Sequence, residues 1–154
     1  MLGIDPGLTN FAFTVINASK QQVVYGNVVN IAPSLATYRS IGVAVCMLME
    51  TLLTKFGFSG VCVEMQLREH MIGVMQSVVV WALMRQLDVD VVPAQTWRRR
   101  VGFRGTGSYA KNKAQSVAHL QRCFQIYTTD HNVAESTLIA LGYALSKGLV
   151  EWTP

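Results

Sequence analysis

Three carboxylates interrupt stretches that otherwise read as buried core, and they limit the chain to folds that either bring them together or neutralise them one by one. Asp5 sits in the opening run Met1-Leu2-Gly3-Ile4-Asp5-Pro6-Gly7-Leu8, Glu64 ends the run Val61-Cys62-Val63, and Glu135 lies inside the helical pattern from Val133 to Leu141. Only nine of the 154 residues are Asp or Glu, so these placements use a third of the acids the chain has. A carboxylate removed from water is costly unless it is paired or binds a cation. Each acid also has a simpler reading. Asp5 suits the Pro6-Gly7 turn, Glu64 an ion pair with Arg68, and Glu135 the positive end of a helix. A site shared by all three accounts for them jointly.

The apolar pattern indicates how they would meet. Residues 2–8 read as a strand with Asp5 near its middle, followed by a Pro-Gly turn and a second strand over 10–17. A third strand over 21–31 pairs antiparallel to the second. Pro33-Ser34 opens a helix to about Phe56, with Leu35, Tyr38, Ile41, Val45, Leu48, Met49 and Leu52 recurring at three and four. A buried strand over 61–65, a helix over 69–86 that is apolar on nearly every side, and a short strand over 89–93 come next. The segment 98–108, rich in Gly and Arg, reads as a mobile loop, and helices over 109–124 and 132–147 close the chain. The predicted fold class is α/β: a five-stranded mixed sheet, three antiparallel strands and then parallel ones, with helices on both faces. The whole chain, 1–154, reads as a single domain.

In that arrangement the first and fourth strands can be neighbours, so Asp5 and Glu64 converge at one edge of the sheet. Glu135 approaches from the last helix, and Asn132, three residues earlier, shares its face. Oxygen donors favour Mg²⁺ or Mn²⁺. Two such ions, about 3.5–4 Å apart, suit phosphodiester hydrolysis.

Charge distribution points to the substrate. Between Val91 and Thr129 there is no acid, against Arg98, Arg99, Arg100, Arg104, Lys111, Lys113 and Arg122. With a net charge of +4 overall, this +7 segment leaves −3 on the remainder. A basic stripe beside an acidic site suits a polyanion held against cations, although a solvated positive surface is the plainer alternative. Trp97, Phe103 and Tyr109 interleave with the basic residues and offer stacking on an unpaired base, with Trp97 packed against the sheet as its alternative. No apolar stretch reaches the ~20 residues of a membrane span, and the start lacks the basic segment of a signal peptide. Cys46, Cys62 and Cys123 stand alone in apolar surroundings, as expected of free thiols in a reducing intracellular compartment.

The same residues carry a family resemblance. The chain resembles the RuvC-like Holliday junction resolvases of the RNase H-like superfamily, most nearly the branch found in poxviruses and related large DNA viruses. Gly3-Ile4-Asp5-Pro6-Gly7-Leu8-Thr9-Asn10 is similar to the first motif of that group, and Glu64-Met65-Gln66-Leu67-Arg68 to the second. Ser108-Tyr109-Ala110-Lys111-Asn112-Lys113 with Ser116-Val117 resembles a basic helix start, and His131-Asn132-Val133-Ala134-Glu135-Ser136 the last motif. That last motif normally holds two acids three apart. Asn132 stands where the first belongs, either as a natural residue or as a replacement that disables cleavage.

The resemblance implies an RNase H-like fold and a homodimer that resolves four-way DNA junctions by paired, metal-dependent nicks. If the chain is viral, it would work at the site of viral DNA replication. Asp5, Glu64, Asn132 and Glu135 would be the catalytic and metal-binding residues, holding two Mg²⁺ or Mn²⁺ ions per site, with His131 a further candidate ligand or base and a helix-cap residue otherwise. Lys111 and Lys113 would hold the scissile or adjacent phosphate. Arg98, Arg99, Arg100 and Arg104 would follow the junction arms, Tyr109 would contact DNA, and Gln66, Leu67 and Arg68 would reach toward the junction centre. The helix over 69–86 would carry the dimer contact. Competing readings are another RNase H-like nuclease acting on branched DNA or RNA–DNA hybrids, and a junction-binding protein whose cleavage is impaired by Asn132. An actin-like ATPase, suggested by Asp5 to Asn10, needs a second such domain for which 154 residues leave no room.

Overall fold

The computed structural model describes residues 1–33, 40–104 and 108–150, with only the backbone at positions 109 and 110. Three strands open the chain, β1 (Leu2–Asp5), β2 (Phe11–Asn17) and β3 (Gln22–Val29). They are followed by α1 (Ile41–Phe56), β4 (Gly60–Glu64), α2 (Glu69–Met84) and β5 (Asp88–Val92). Three helices end it, α3 (Ala94–Arg100), α4 (Tyr109–Phe124) and α5 (His131–Ser146). The strands form one five-stranded sheet in the order β3-β2-β1-β4-β5. β1–β2 and β2–β3 are antiparallel, and β1–β4 and β4–β5 parallel, as expected for the mixed sheet.

Alternation along the strands divides the core into two layers. Leu2, Ile4, Val61 and Val63 face α1 and α2 and pack with Val45, Met49, Val74, Val78 and Trp81. On the opposite face Cys62 and Val92 pack with Trp97, Val101, Phe103, Leu120 and the buried side of α5. The last helix runs through the interior, with every residue from Ala134 to Ala144 buried.

Three local expectations are corrected. β1 ends at Asp5 instead of continuing to position 8, because Pro6 has no amide hydrogen to extend the ladder. Asp5 is therefore at the strand end, not its middle. Ser40 is extended just ahead of α1, so the helix opens later than Pro33-Ser34; Leu35 and Tyr38 lie outside the described residues. The start of the supposed loop at 98 is helical, since α3 follows directly on Pro93 and is anchored by the fully buried Trp97. No described helix is long and apolar enough to cross a membrane.

Candidate active site

β1 pairs with β4 through Leu2–Val61, Gly3–Cys62 and Ile4–Val63. Continuing that register sets Asp5 beside Glu64, at the carboxyl ends of two parallel neighbours. Ile4 and Val63 belong to the α1–α2 core, so alternation turns the two acids to the other face, under α5.

Gly3 allows α5 to come down there. A Cβ at that position would overlap the carbonyl oxygen of Ser136 and lie 2.5 Å from the amide nitrogen of Ala140. Only a residue without a side chain lets helix and strand approach this closely. The helix start is fixed further by Asp130, whose carboxylate accepts hydrogen bonds from the amides of Asn132 and Val133. Thr14 on β2 hydrogen-bonds the hydroxyls of Ser136 at 2.8 Å and Thr137 at 3.0 Å, inside the protein. Glu135, 8% exposed, takes its position from these neighbours.

Asp5, Glu64, Asn132 and Glu135 line one cleft of about 670 Å³, joined by Gln66, Arg68, His70, Arg98 and Lys113. All four residues assigned from sequence to the metal site are thus on one cleft. Burial raises the Asp5 carboxyl to about 7, reinforced by the charges of Glu64 and Glu135 and opposed by Lys113 and Arg98. Glu64 and Glu135 are also shifted upward, chiefly by burial. The indole Nε1 of Trp97 donates to Glu64 Oε2 at 2.6 Å and works against the rise at Glu64. Acids that repel one another and have lost water bind a cation in place of a proton.

The donor set consists of carboxylate and amide oxygens, which fits a hard divalent cation. Among the described residues, no three of His, Cys, Asp or Glu already form a metal shell. Glu64 is drawn toward Trp97 and Gln66, and the Asn132 Oδ1 lies 3.3 Å from the ammonium of Lys113. The acids share a cleft without yet sharing a point.

The expected DNA contacts separate into groups. Gln66, Arg68, Arg98 and Lys113 line the cleft. Leu67, between Gln66 and Arg68, is 85% exposed. Lys113 donates to His131 Nε2 at 2.7 Å, so His131 stands behind Lys113 and outside the cleft lining. Lys111, Arg99 and Arg104 are exposed. Arg100 is paired with Asp90 at 2.8 Å, which neutralises the charge it would offer to DNA. The Tyr109 side chain lies outside the described residues.

Stacking of DNA bases on Trp97 or Phe103 is not supported. Trp97 is fully buried and Phe103 is 5% exposed, and their rings stack on each other with centroids 6.1 Å apart. Sequence reasoning missed the Trp97–Glu64 bond, the position of Arg98 beside the acids, and His70 at the rim. For Trp97 and Arg98 no local signal exists, because both depend on α3 packing against α5, which brings them to the acid at the end of β4. Thr9 and Asn10, which also line the cleft, were within the recognised opening motif.

No family model and no curated protein matches the chain in sequence. Solved structures do match in shape. The Thermus thermophilus RuvC structure in complex with a Holliday junction substrate has a TM-score of 0.69 at 19% identity, covering 97% of this chain and 96% of that one. The yeast mitochondrial Holliday junction resolvase has a TM-score of 0.67 at 16% identity, covering 96% and 80%. The fowlpox virus resolvase in complex with its substrate Holliday junction DNA has a TM-score of 0.64 at 17% identity, covering 94% and 98%. The chain has the RNase H-like fold of these resolvases.

Proposed function

We propose that this protein is a structure-selective DNA endonuclease that resolves four-way junctions by paired, divalent-metal-dependent hydrolysis. The observation that carries the reading is the meeting of Asp5 and Glu64 from adjacent parallel strands with Glu135 from α5 in one cleft, with all three carboxyls shifted upward. The likeness to solved resolvases bound to Holliday junctions supports the choice of substrate.

In this reading Asp5, Glu64 and Glu135, with the amide oxygen of Asn132, hold Mg²⁺ or Mn²⁺, two ions per site. Such ions supply the Lewis acidity and activated water that phosphodiester hydrolysis requires. Lys113 receives the scissile phosphate, its ammonium oriented by His131, and Lys111 neutralises a phosphate farther out. Arg98 offsets the acidic charge and so limits repulsion of the incoming DNA. Arg68 and Gln66 face the junction centre, and the exposed Leu67 offers an apolar tip between them.

Paired nicking needs two copies, and α2 offers the contact. Val80, Leu83 and Met84 are 56%, 60% and 79% exposed on its outer side, an arrangement that favours burial against a partner. Leu83→Glu should give a monomer in sedimentation and uncouple the two nicks; a dimer that persists would move the interface elsewhere. Cys46, Cys62 and Cys123 form no disulfide among the described residues, which suits a reducing intracellular compartment, for a viral protein the site of viral DNA replication.

The functional test is Glu64→Gln. It should abolish nicking in Mg²⁺ while junction binding without divalent ions survives. Loss of binding in a folded variant would contradict this division of roles. A second reading, a junction-binding protein with weak cleavage, rests on Asn132, whose amide brings no charge to the site. A substrate panel including three-way, flap and hybrid duplexes separates both from a nuclease of broader range.

A further inference from the structure

We propose that a second recess beside the acid cleft is a subsite for one backbone phosphate of the cleaved DNA strand, within one or two nucleotides of the scissile phosphate. The inference rests on the branched-DNA reading above and deepens it. The recess has a volume of about 500 Å³ and is lined by Gln95, Arg98, Arg99, Phe103, Arg104 and Asn112, together with Gly102. Three guanidinium side chains border it, and none of its lining residues is acidic.

Arg98 faces the charges of Asp5, Glu64 and Glu135 in the neighbouring cleft, but the other two guanidinium groups have no such partner among the described residues. Arg99 and Arg104 are exposed, and among the described residues neither has an ion pair. Arg100, on the same short helix, is tied to Asp90 at 2.8 Å and takes no part in the lining. Arg98 is held by aromatic rings, its guanidinium carbon 5.1 Å from the centroid of Trp97 and 5.8 Å from that of Phe103. Its Nε is buried and has no hydrogen-bond partner among the described residues. Arg99 and Arg104, like charges without an ion pair among the described residues, repel one another. An anion with several acceptor oxygens relieves that repulsion, and the arginine fork matches a phosphate in shape.

The position selects the ligand. Arg98 lines this recess and the acid cleft alike, so the two sites are separated by a single side chain. A DNA strand carries one phosphate per about 3.4 Å of duplex axis, so a strand seated over the carboxylates brings a neighbouring phosphate here. A base is a poorer occupant, because Phe103 is 5% exposed and Trp97 fully buried, leaving no free ring face. The recess therefore sets which phosphate of the strand comes to rest over the acids.

The test is a set of four-way junctions, and duplexes of the same strand, each with one neutral methylphosphonate at a different position. Dissociation constants are measured without divalent ions for the wild type and for an Arg99→Ala/Arg104→Ala variant, after equal melting temperatures show that both are folded. One substitution near the scissile position should weaken wild-type binding on the order of tenfold and add nothing further in the variant. Equal penalties in both proteins at every position, or no position-specific penalty, would overturn the subsite. Wild type that binds duplex as tightly as junction contradicts the junction reading alone; coupling at one duplex phosphate would still support the subsite, and its absence would sink it.

Discussion

The indole Nε1 of Trp97 donates a hydrogen bond to Glu64 Oε2 at 2.6 Å, and it does so from a fully buried ring. One oxygen of the acid is thus held by α3, which fixes the direction in which the other can face. Trp97→Phe keeps most of the volume and removes the donor. The Glu64 carboxyl should then rise further, because a bond that favours its charged form is lost. Mn²⁺ affinity, measured by calorimetry, should fall about tenfold to hundredfold, with a stability loss of about 1–3 kcal/mol. Unchanged affinity in a folded variant would reduce the bond to a packing detail.

Asn132 has its oxygen 3.3 Å from Lys113 and adds no negative charge to the cleft. Asn132→Asp should lower the Mg²⁺ concentration for half-maximal junction nicking by about tenfold, since carboxylate number largely sets affinity for hard cations. An unchanged midpoint would take position 132 out of the metal-binding set.

Asp5 is pushed up to about 7 from an ordinary 3.8, first by burial and then by Glu64 and Glu135. Between those values the folded protein keeps a proton that the unfolded chain has released. Stability of the metal-free protein is therefore highest below about pH 4 as far as this group is concerned, and falls as pH rises through 7. Mg²⁺ competes with that proton, so the rise in melting temperature on adding Mg²⁺ should grow with pH and level off above about 7. Asp5→Asn should flatten both trends in a thermal-shift series. A Mg²⁺ effect independent of pH would mean that the ion binds elsewhere.

Gly3 lies directly beneath α5, with the Ala140 Cβ 2.7 Å from where its own Cβ would be. Gly3→Ala must push the helix off β1 and carry Glu135 away from Asp5. Denaturant unfolding should register a loss of about 3 kcal/mol or more, and nicking should fall beyond what the folded fraction explains. A variant of wild-type stability would contradict the close approach.

The parts legible from sequence were those where a residue opposes its surroundings. Asp5 and Glu64 at the ends of apolar strands, and Glu135 within an apolar helix, were conspicuous for the same reason that they are costly to bury. Parallel pairing of β1 with β4 followed from the order of the elements. The end of β1 is marked in the sequence by Pro6, which outweighs the apolar run that continues to Leu8. α3 is hard to see in the sequence because seven residues with three consecutive arginines have no apolar period. Its helical form depends on tertiary contacts, the burial of Trp97 and the Arg100–Asp90 pair. The partners of Trp97 and Arg98 were hidden for the same reason.

Cleavage of end-labelled four-way junctions, with products mapped strand by strand, tests the central claim most directly. Wild type in Mg²⁺ or Mn²⁺ should leave symmetric nicks in two opposed strands, while Glu64→Gln leaves the junction bound and intact. Junctions that stay whole with wild type and with Asn132→Asp in either metal, or nicks that persist in Glu64→Gln, would contradict it.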